Sequence, residues 1–143
     1  MSRQAALGLL AVLAAVGIVS AWAVWTRPER ESVRDYTELL AAANRQDVAA
    51  ARRLCTQRYV AGHSLTPAPG GGLVGLPRNI HVRFQAWREG PHVWVCPTNR
   101  IGPVYQFAFE DQAWRFDGLV GILRARGQFV PLTEEPDTVA PDD

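Results

Sequence analysis

The chain opens with a continuous run of apolar side chains, Ala5–Trp25, in which Ser20 is the only polar one. A helix of roughly 20 apolar residues can cross the hydrocarbon core of a bilayer, which is about 30 Å thick. Trp22 and Trp25 stand at the far end of the run, and tryptophan favours the interface between lipid and water. The pattern predicts a transmembrane helix or signal anchor in residues 1–25, with the lipid bilayer as its partner.

Three alternatives stay open for this segment: an uncleaved anchor, a signal peptide cleaved at the small-x-small pattern Ala21-Trp22-Ala23, and a helix buried in a core. Its length and its bulky tryptophans favour the uncleaved anchor. The arginines that follow, Arg27, Arg30 and Arg34, would place the domain inside the cell if arginines alone were counted. Large domains cross membranes largely regardless of charge, so we expect a single-pass protein with an extracytoplasmic C-terminal domain on the periplasmic side.

Two helical patterns follow a short polar linker, residues 26–31. In each, apolar side chains recur every three or four residues, which is the period of one helix face. Ser32 and Asp47 precede these patterns and are suitable N-caps. The spacing predicts an αα-hairpin, with helices at about residues 32–45 and 48–60.

A glycine- and proline-rich stretch occupies residues 61–79. Its Gly70-Gly71-Gly72 run lacks the lysine and the serine or threonine of a phosphate-binding loop, so a flexible connector is expected. Polar and apolar positions then alternate, as they do in half-buried strands separated by short turns. Strands are predicted at Ile80–Trp87, His92–Cys96, Val104–Phe109 and Ala113–Asp117, with an extension at Leu119–Leu123 and an edge segment at Gln128–Leu132.

Helices followed by strands predict an α+β fold, here an αα-hairpin packed on a curved antiparallel sheet of about four strands in residues 32–132. Residues 133–143 are acidic and are expected to be disordered. The chain has 15 basic residues, all arginine, against 14 acidic ones, which excludes a polybasic protein that binds nucleic acid. Between Thr26 and Thr133 the arginines outnumber the acids, a surplus that favours anionic lipid headgroups or the chain's own acidic tail.

The side chains that carry chemistry form no recognisable catalytic or metal-binding arrangement. His63, His81 and His92 lack the spacing of metal-ligating pairs, so neither a metal nor a cofactor is predicted. Asp35 and Asp117 are of the right type for a general base, but one suits the first turn of a helix and the other a turn before glycine. No catalytic residue and no enzymatic activity are therefore predicted.

Cys55 and Cys96 are the only cysteines. A disulfide between them is chemically permitted outside the cytoplasm and would join a helix to the sheet. The alternative is two buried free thiols, because alternation places Cys96 on the opposite side of its strand from Val93 and Val95. Both alternatives stay open from sequence.

Two motifs behind a membrane segment resemble the NTF2-like or cystatin-like superfamily. One is Y-x-x-L-L-A-A-A-x-x-x-D-x-x-A-A-x-x-L from Tyr36, and the other is F-x-F-E-D-Q-A-W-R-F-D-G ending at Gly118. The resemblance implies a bent sheet wrapped around a helix, forming a cone with an apolar pocket. It implies small-molecule binding, isomerase or dehydratase activity, or a binding and assembly role. The glycine-rich loop stands where a third helix often lies, which implies an open or shallow pocket.

Four aromatic side chains are pocket candidates, with core packing as the alternative: Tyr36, Tyr59, Tyr105 and Trp114. We expect a membrane-anchored binding or assembly module without catalytic activity. The alternative is an accessory subunit of a larger membrane complex, or a homodimer, whose helix packs through its alanines and glycines. An isomerase or hydrolase of the NTF2-like type is the third candidate function.

Overall fold

The computed structural model of the chain describes residues 3–78 and 82–132. Its first element is helix α1, Arg3–Trp25, of which Gln4–Trp25 is long and apolar enough to cross a membrane, judged by length and composition. None of its apolar window is buried against the rest of the chain. The buried-core alternative therefore does not hold for this helix, whereas an anchor and a signal peptide both fit it.

Helix α2, Arg27–Asn44, follows α1 with only Thr26 between them. Helical hydrogen bonds continue through the junction, since the Thr26 N–H donates to the Trp22 carbonyl at 3.0 Å and the Arg30 N–H donates to the Thr26 carbonyl at 3.3 Å. Pro28 lies in the first turn, where its missing N–H is tolerated. The predicted linker is thus mostly helical, and Ser32 is a buried residue inside α2 rather than its N-cap.

The second predicted helix is in fact two short ones, α3 (Val48–Arg53) and α4 (Gln57–Gly62). Between them the backbone pairs with Phe116. The Thr56 N–H donates to the Phe116 carbonyl at 2.9 Å, and the Phe116 N–H donates to the Leu54 carbonyl at 2.8 Å. These bonds replace helical ones, so the prediction of one continuous helix over 48–60 is wrong. Asp47 does cap α3, because its carboxylate accepts the Ala50 N–H at 3.1 Å.

Within the described residues, five strands form one antiparallel sheet in sequential order. They are β1 (Phe84–Glu89), β2 (His92–Pro97), β3 (Gly102–Glu110), β4 (Ala113–Leu123) and β5 (Phe129–Pro131). The α+β class and the antiparallel meander are confirmed. β4 includes the predicted extension, and β5 is a short fifth strand at the edge. The beginning of the first predicted strand, Ile80 and His81, lies outside the described residues.

Both faces of the sheet carry apolar clusters. The larger cluster lies between the sheet and α2 and includes Phe107 and Phe116. The smaller one lies on the opposite face around Cys96, with Trp87, Trp94 and Phe129 packed against it. Trp87 and Trp94 pair across β1 and β2, with ring centroids 6.1 Å apart.

The glycine- and proline-rich loop folds back onto the larger cluster. Leu65, Leu73 and Leu76 are buried there. The Gln46 amide donates to the Ala68 carbonyl at 3.0 Å, and the Tyr59 hydroxyl donates to the Gly75 carbonyl. The prediction of a flexible connector is therefore wrong for the described part of this loop, because three leucines anchor it to the core.

Candidate functional site

A small apolar pocket lies between α2 and one end of the sheet. Its volume is about 130 Å³. We call it the tyrosine pocket, and its described lining consists of Tyr36, Leu40, Pro77, Arg78, Val82, Phe84, Pro97, Pro103 and Tyr105.

The helical and strand periods bring the two tyrosines of this pocket together. Tyr36 and Leu40 are one turn apart on the buried face of α2. Tyr105 lies on β3 opposite Val95 of β2, on the face that packs against α2. The Tyr36 ring lies 5.3 Å from the Tyr105 ring and 4.7 Å from the Phe84 ring, measured between centroids. The pocket is thus a gap at the end of the aromatic core rather than a separate structure.

Both phenols of the pocket stay neutral at physiological pH. Burial raises the pKa of Tyr36, and the neighbouring Tyr105 raises it further. Burial also raises the pKa of Tyr105. A neutral phenol can both donate and accept a hydrogen bond. These two side chains therefore contribute no anion to the pocket lining.

A wider and more polar cleft lies where α4 meets β4. Its volume is about 480 Å³. We call it the Asp117 cleft, and its described lining consists of Arg58, Tyr59, Gly62, His63, Asp117, Gly118, Leu119 and Leu132. The His63 ring stacks on the Tyr59 ring at 4.0 Å between centroids, and its Nδ1 lies 3.0 Å from the Tyr59 carbonyl oxygen.

Asp117 holds this cleft together rather than acting as a base. Its carboxylate accepts hydrogen bonds from Thr56 Oγ1 at 2.7 Å, Arg58 Nη2 at 2.6 Å and Gln106 Nε2 at 3.0 Å. Burial alone would raise its pKa, but these hydrogen bonds and the Arg58 charge outweigh burial and hold the pKa below its usual value. A carboxylate with a lowered pKa and three donors is a poor proton acceptor, so its role is to tie α4 to the sheet.

The four aromatic candidates are divided among three places. Tyr36 and Tyr105 line the tyrosine pocket, and Tyr59 lines the Asp117 cleft. Trp114 is outside the lining of both; it packs against the larger cluster, with its ring 5.3 Å from that of Phe109. Sequence reasoning did not single out Arg78, Pro97 and Pro103, and no local pattern distinguishes these residues from ordinary loop residues.

Cys55 and Cys96 are both free and buried. They belong to the clusters on opposite faces of the sheet. Burial raises the pKa of the Cys55 thiol to about 12, which leaves it unreactive at neutral pH. Among the described residues, no group of three histidine, cysteine or acidic side chains is placed to hold a metal ion.

Comparisons of the chain with protein-family models, with curated proteins and with solved structures found no match. Function must therefore be inferred from the chain's own side chains. The two features that bear on it most directly are the exposed apolar helix α1 and the tyrosine pocket.

Proposed function

We propose that this protein is a single-pass, membrane-anchored binding module of the NTF2-like type, without catalytic activity. The observation that carries the proposal is the composition of the tyrosine pocket. Its described lining offers apolar side chains, two neutral phenols and the guanidinium of Arg78, but no carboxylate and no imidazole. A carboxylate or an imidazole is the usual acid–base catalyst, and burial raises the pKa of both phenols, which makes them poor proton acceptors.

The size of the pocket limits its ligand to a small organic group. A dry protein cavity of about 150 Å³ accommodates benzene, and the tyrosine pocket has about 130 Å³. The phenol hydroxyls of Tyr36 and Tyr105 can hydrogen-bond an oxygen of the ligand, and Arg78 can pair with an anionic end. The ligand class that we propose is a single ring or a short acyl chain that enters the pocket only in part and leaves its carboxylate outside, beside the exposed Arg78.

Benzoate is expected to bind the tyrosine pocket and 2-naphthoate is not, because the second ring exceeds the available volume. The measurement uses the full chain in lipid nanodiscs with ¹³C-labelled leucine and valine methyl groups. Benzoate should shift the Leu40 methyl signals, since Leu40 lines the pocket. It should leave those of Val93, which is fully buried in the larger cluster, in place.

A matched pair of substitutions makes this titration specific. Val82 lines the pocket and is 50% exposed, whereas Val74 is 48% exposed and lies in the loop away from the lining. Val82→Trp should abolish the benzoate-dependent shift of Leu40, and Val74→Trp should not change it. Equal shifts in the two variants, or equal binding of naphthoate, would show that the pocket is not the binding site.

The proposal also places the domain on the extracytoplasmic side. The support is that a large domain can cross a membrane largely regardless of the arginines that follow its anchor. Alkaline phosphatase fused after residue 143 is therefore expected to be active in intact bacterial cells, and green fluorescent protein fused there is expected to be dark. The opposite result, a fluorescent green fluorescent protein fusion and an inactive phosphatase fusion, would show that the domain lies in the cytoplasm.

A further inference from the structure

Three arginines at the start of α2 point away from the rest of the domain. At 100° per residue, Arg27, Arg30 and Arg34 fall on one side of α2, opposite the side of Tyr36 that packs against the sheet. They line a shallow cleft of about 340 Å³ together with Glu31. We call these four residues the arginine cleft.

The Arg30 side chain reaches back to the end of the apolar helix. Its Nη2 donates to the Ala23 carbonyl at 2.7 Å, seven residues earlier in the chain. The apolar stretch of 22 residues spans about 33 Å at a rise of 1.5 Å per residue, slightly more than the roughly 30 Å of hydrocarbon in a bilayer. If α1 crosses a bilayer, Ala23 would stand at the boundary of the hydrocarbon and the Arg30 guanidinium in the headgroup layer.

Internal hydrogen bonds orient these guanidinium groups without using all their donors. Arg27 Nε donates to the Glu31 carboxylate at 2.5 Å, which neutralises the one acid of the cleft. Arg34 pairs with Asp35 at 2.8 Å. Each guanidinium carries five N–H donors, so Arg27 and Arg30 keep donors for a further acceptor.

A contact on the other side of the helix fixes the direction in which the arginine cleft faces. The Arg88 guanidinium, near the turn between β1 and β2, lies 5.5 Å from the centre of the Trp25 ring, and its Nε lies 3.6 Å from a Glu29 carboxylate oxygen. The sheet is thereby held against one side of the helix junction at the level of Trp25. The arginines of the cleft, on the opposite side, are exposed.

We propose that the arginine cleft binds the phosphate of a lipid headgroup, through Arg30 and Arg27 in the first instance. An Arg guanidinium matches a phosphate with two parallel hydrogen bonds, and at the edge of a bilayer the phospholipid phosphate is the abundant anion. The inference rests on the membrane anchorage in the proposed function, but not on the tyrosine pocket.

The test is native mass spectrometry of the full chain released from detergent with one added lipid at a time. The lipids are phosphatidylglycerol, phosphatidylcholine and diacylglycerol, which has the acyl chains but no phosphate. Phosphatidylglycerol should bind more tightly than diacylglycerol, with phosphatidylcholine between them. Arg30→Gln and Arg27→Gln should each weaken the binding of phosphatidylglycerol by about fivefold, which is the effect of one basic residue at an anionic surface. Arg45→Gln, at the far end of α2 and also exposed, should leave binding unchanged.

Two further measurements distinguish lipid phosphate from free phosphate, and failure of the lipid site from failure of the membrane anchorage. Inorganic phosphate in millimolar excess should not displace the lipid; displacement that depends on Arg30 would assign the cleft to free phosphate and overturn the lipid assignment. Equal binding of diacylglycerol, or no effect of Arg30→Gln, would also overturn it. A chain that stays soluble without detergent would instead contradict the membrane anchorage. Benzoate binding in the tyrosine pocket is independent of both the lipid site and the anchorage.

Discussion

Replacing Phe116 with alanine is expected to lower the free energy of unfolding by about 4 kcal/mol, the usual cost of removing a large buried aromatic side chain. Phe116 is 1% exposed. Its ring lies 5.0 Å from that of Tyr59, 5.5 Å from that of Tyr105 and 5.8 Å from that of Phe107, between centroids. Because small domains are stable by only about 5–15 kcal/mol, much of the variant population should be unfolded under mild denaturing conditions.

Phe109→Ala is the matched control for this substitution. Phe109 precedes the β3–β4 turn and is 60% exposed, so its removal should cost about 0.5 kcal/mol or less. Urea titration of the full chain in detergent, followed by tryptophan fluorescence, gives both values. Equal losses for Phe116→Ala and Phe109→Ala would contradict the assignment of Phe116 to the centre of the core. Phe116→Ala should also weaken benzoate binding, since Tyr105 packs directly against the missing ring.

The sheet could be predicted from the sequence because its strands are local patterns. Alternation of polar and apolar residues sets the face of each side chain, and short turns set the antiparallel direction. This is why the predicted placement of Cys96 on the opposite side of its strand from Val93 and Val95 agrees with the structure. The exact ends of strands depend on bulges, such as the one between Gln106 and Phe107, which leave no periodic signal.

The break between α3 and α4 could not be predicted because it is a tertiary effect. Apolar residues continue at helical spacing through Leu54 and Cys55, so the local pattern favours one helix. The backbone at 54–56 instead pairs with Phe116, which is about 60 residues away in the chain. Thr56 supplies the local signal that could have revealed the break, since its side chain accepts the Tyr59 N–H as an N-cap.

The candidate site was predictable in residue type but not in position. Helical spacing shows that Tyr36 and Tyr59 both face the core, but it does not show that they lie on separate helices and reach the Phe116 ring independently. The prolines at the end of the tyrosine pocket come close to Tyr36 only through the register of β2 and β3. For the arginine cleft, the spacing of the arginines along one side of α2 is visible in the sequence. The hydrogen bond from Arg30 back to the Ala23 carbonyl is not, because it depends on the side-chain conformation.

Asp117→Ala is expected to lower the free energy of unfolding by about 3 kcal/mol, because it leaves several buried donors without a partner. The Asp117 side chain is 6% exposed, and its donors come from the α4 region and from β3. Thr56 and Gln106 would lose a charged acceptor in a place that water reaches poorly. Glu38→Ala is the control, since Glu38 is 59% exposed and lies 4.0 Å from Arg34, a distance at which an exposed pair contributes about 0–1 kcal/mol.

The stabilisation by Asp117 should also depend on pH in a defined direction. The folded-state pKa of Asp117 lies below its usual value of 3.8, so its contribution is fully present above that value and is lost as the pH falls through the folded pKa. Burial raises the pKa of Asp35, which is the opposite shift. Because Asp35 is present in both the wild type and Asp117→Asn, its effect on stability cancels in the difference between them. The difference in unfolding free energy between these two proteins should therefore be constant near neutrality and shrink as the pH falls below 3.8 towards the lowered folded-state pKa. A difference that stays constant to the lowest pH would mean that the hydrogen bonds of Thr56, Arg58 and Gln106 do not depend on the charge of Asp117.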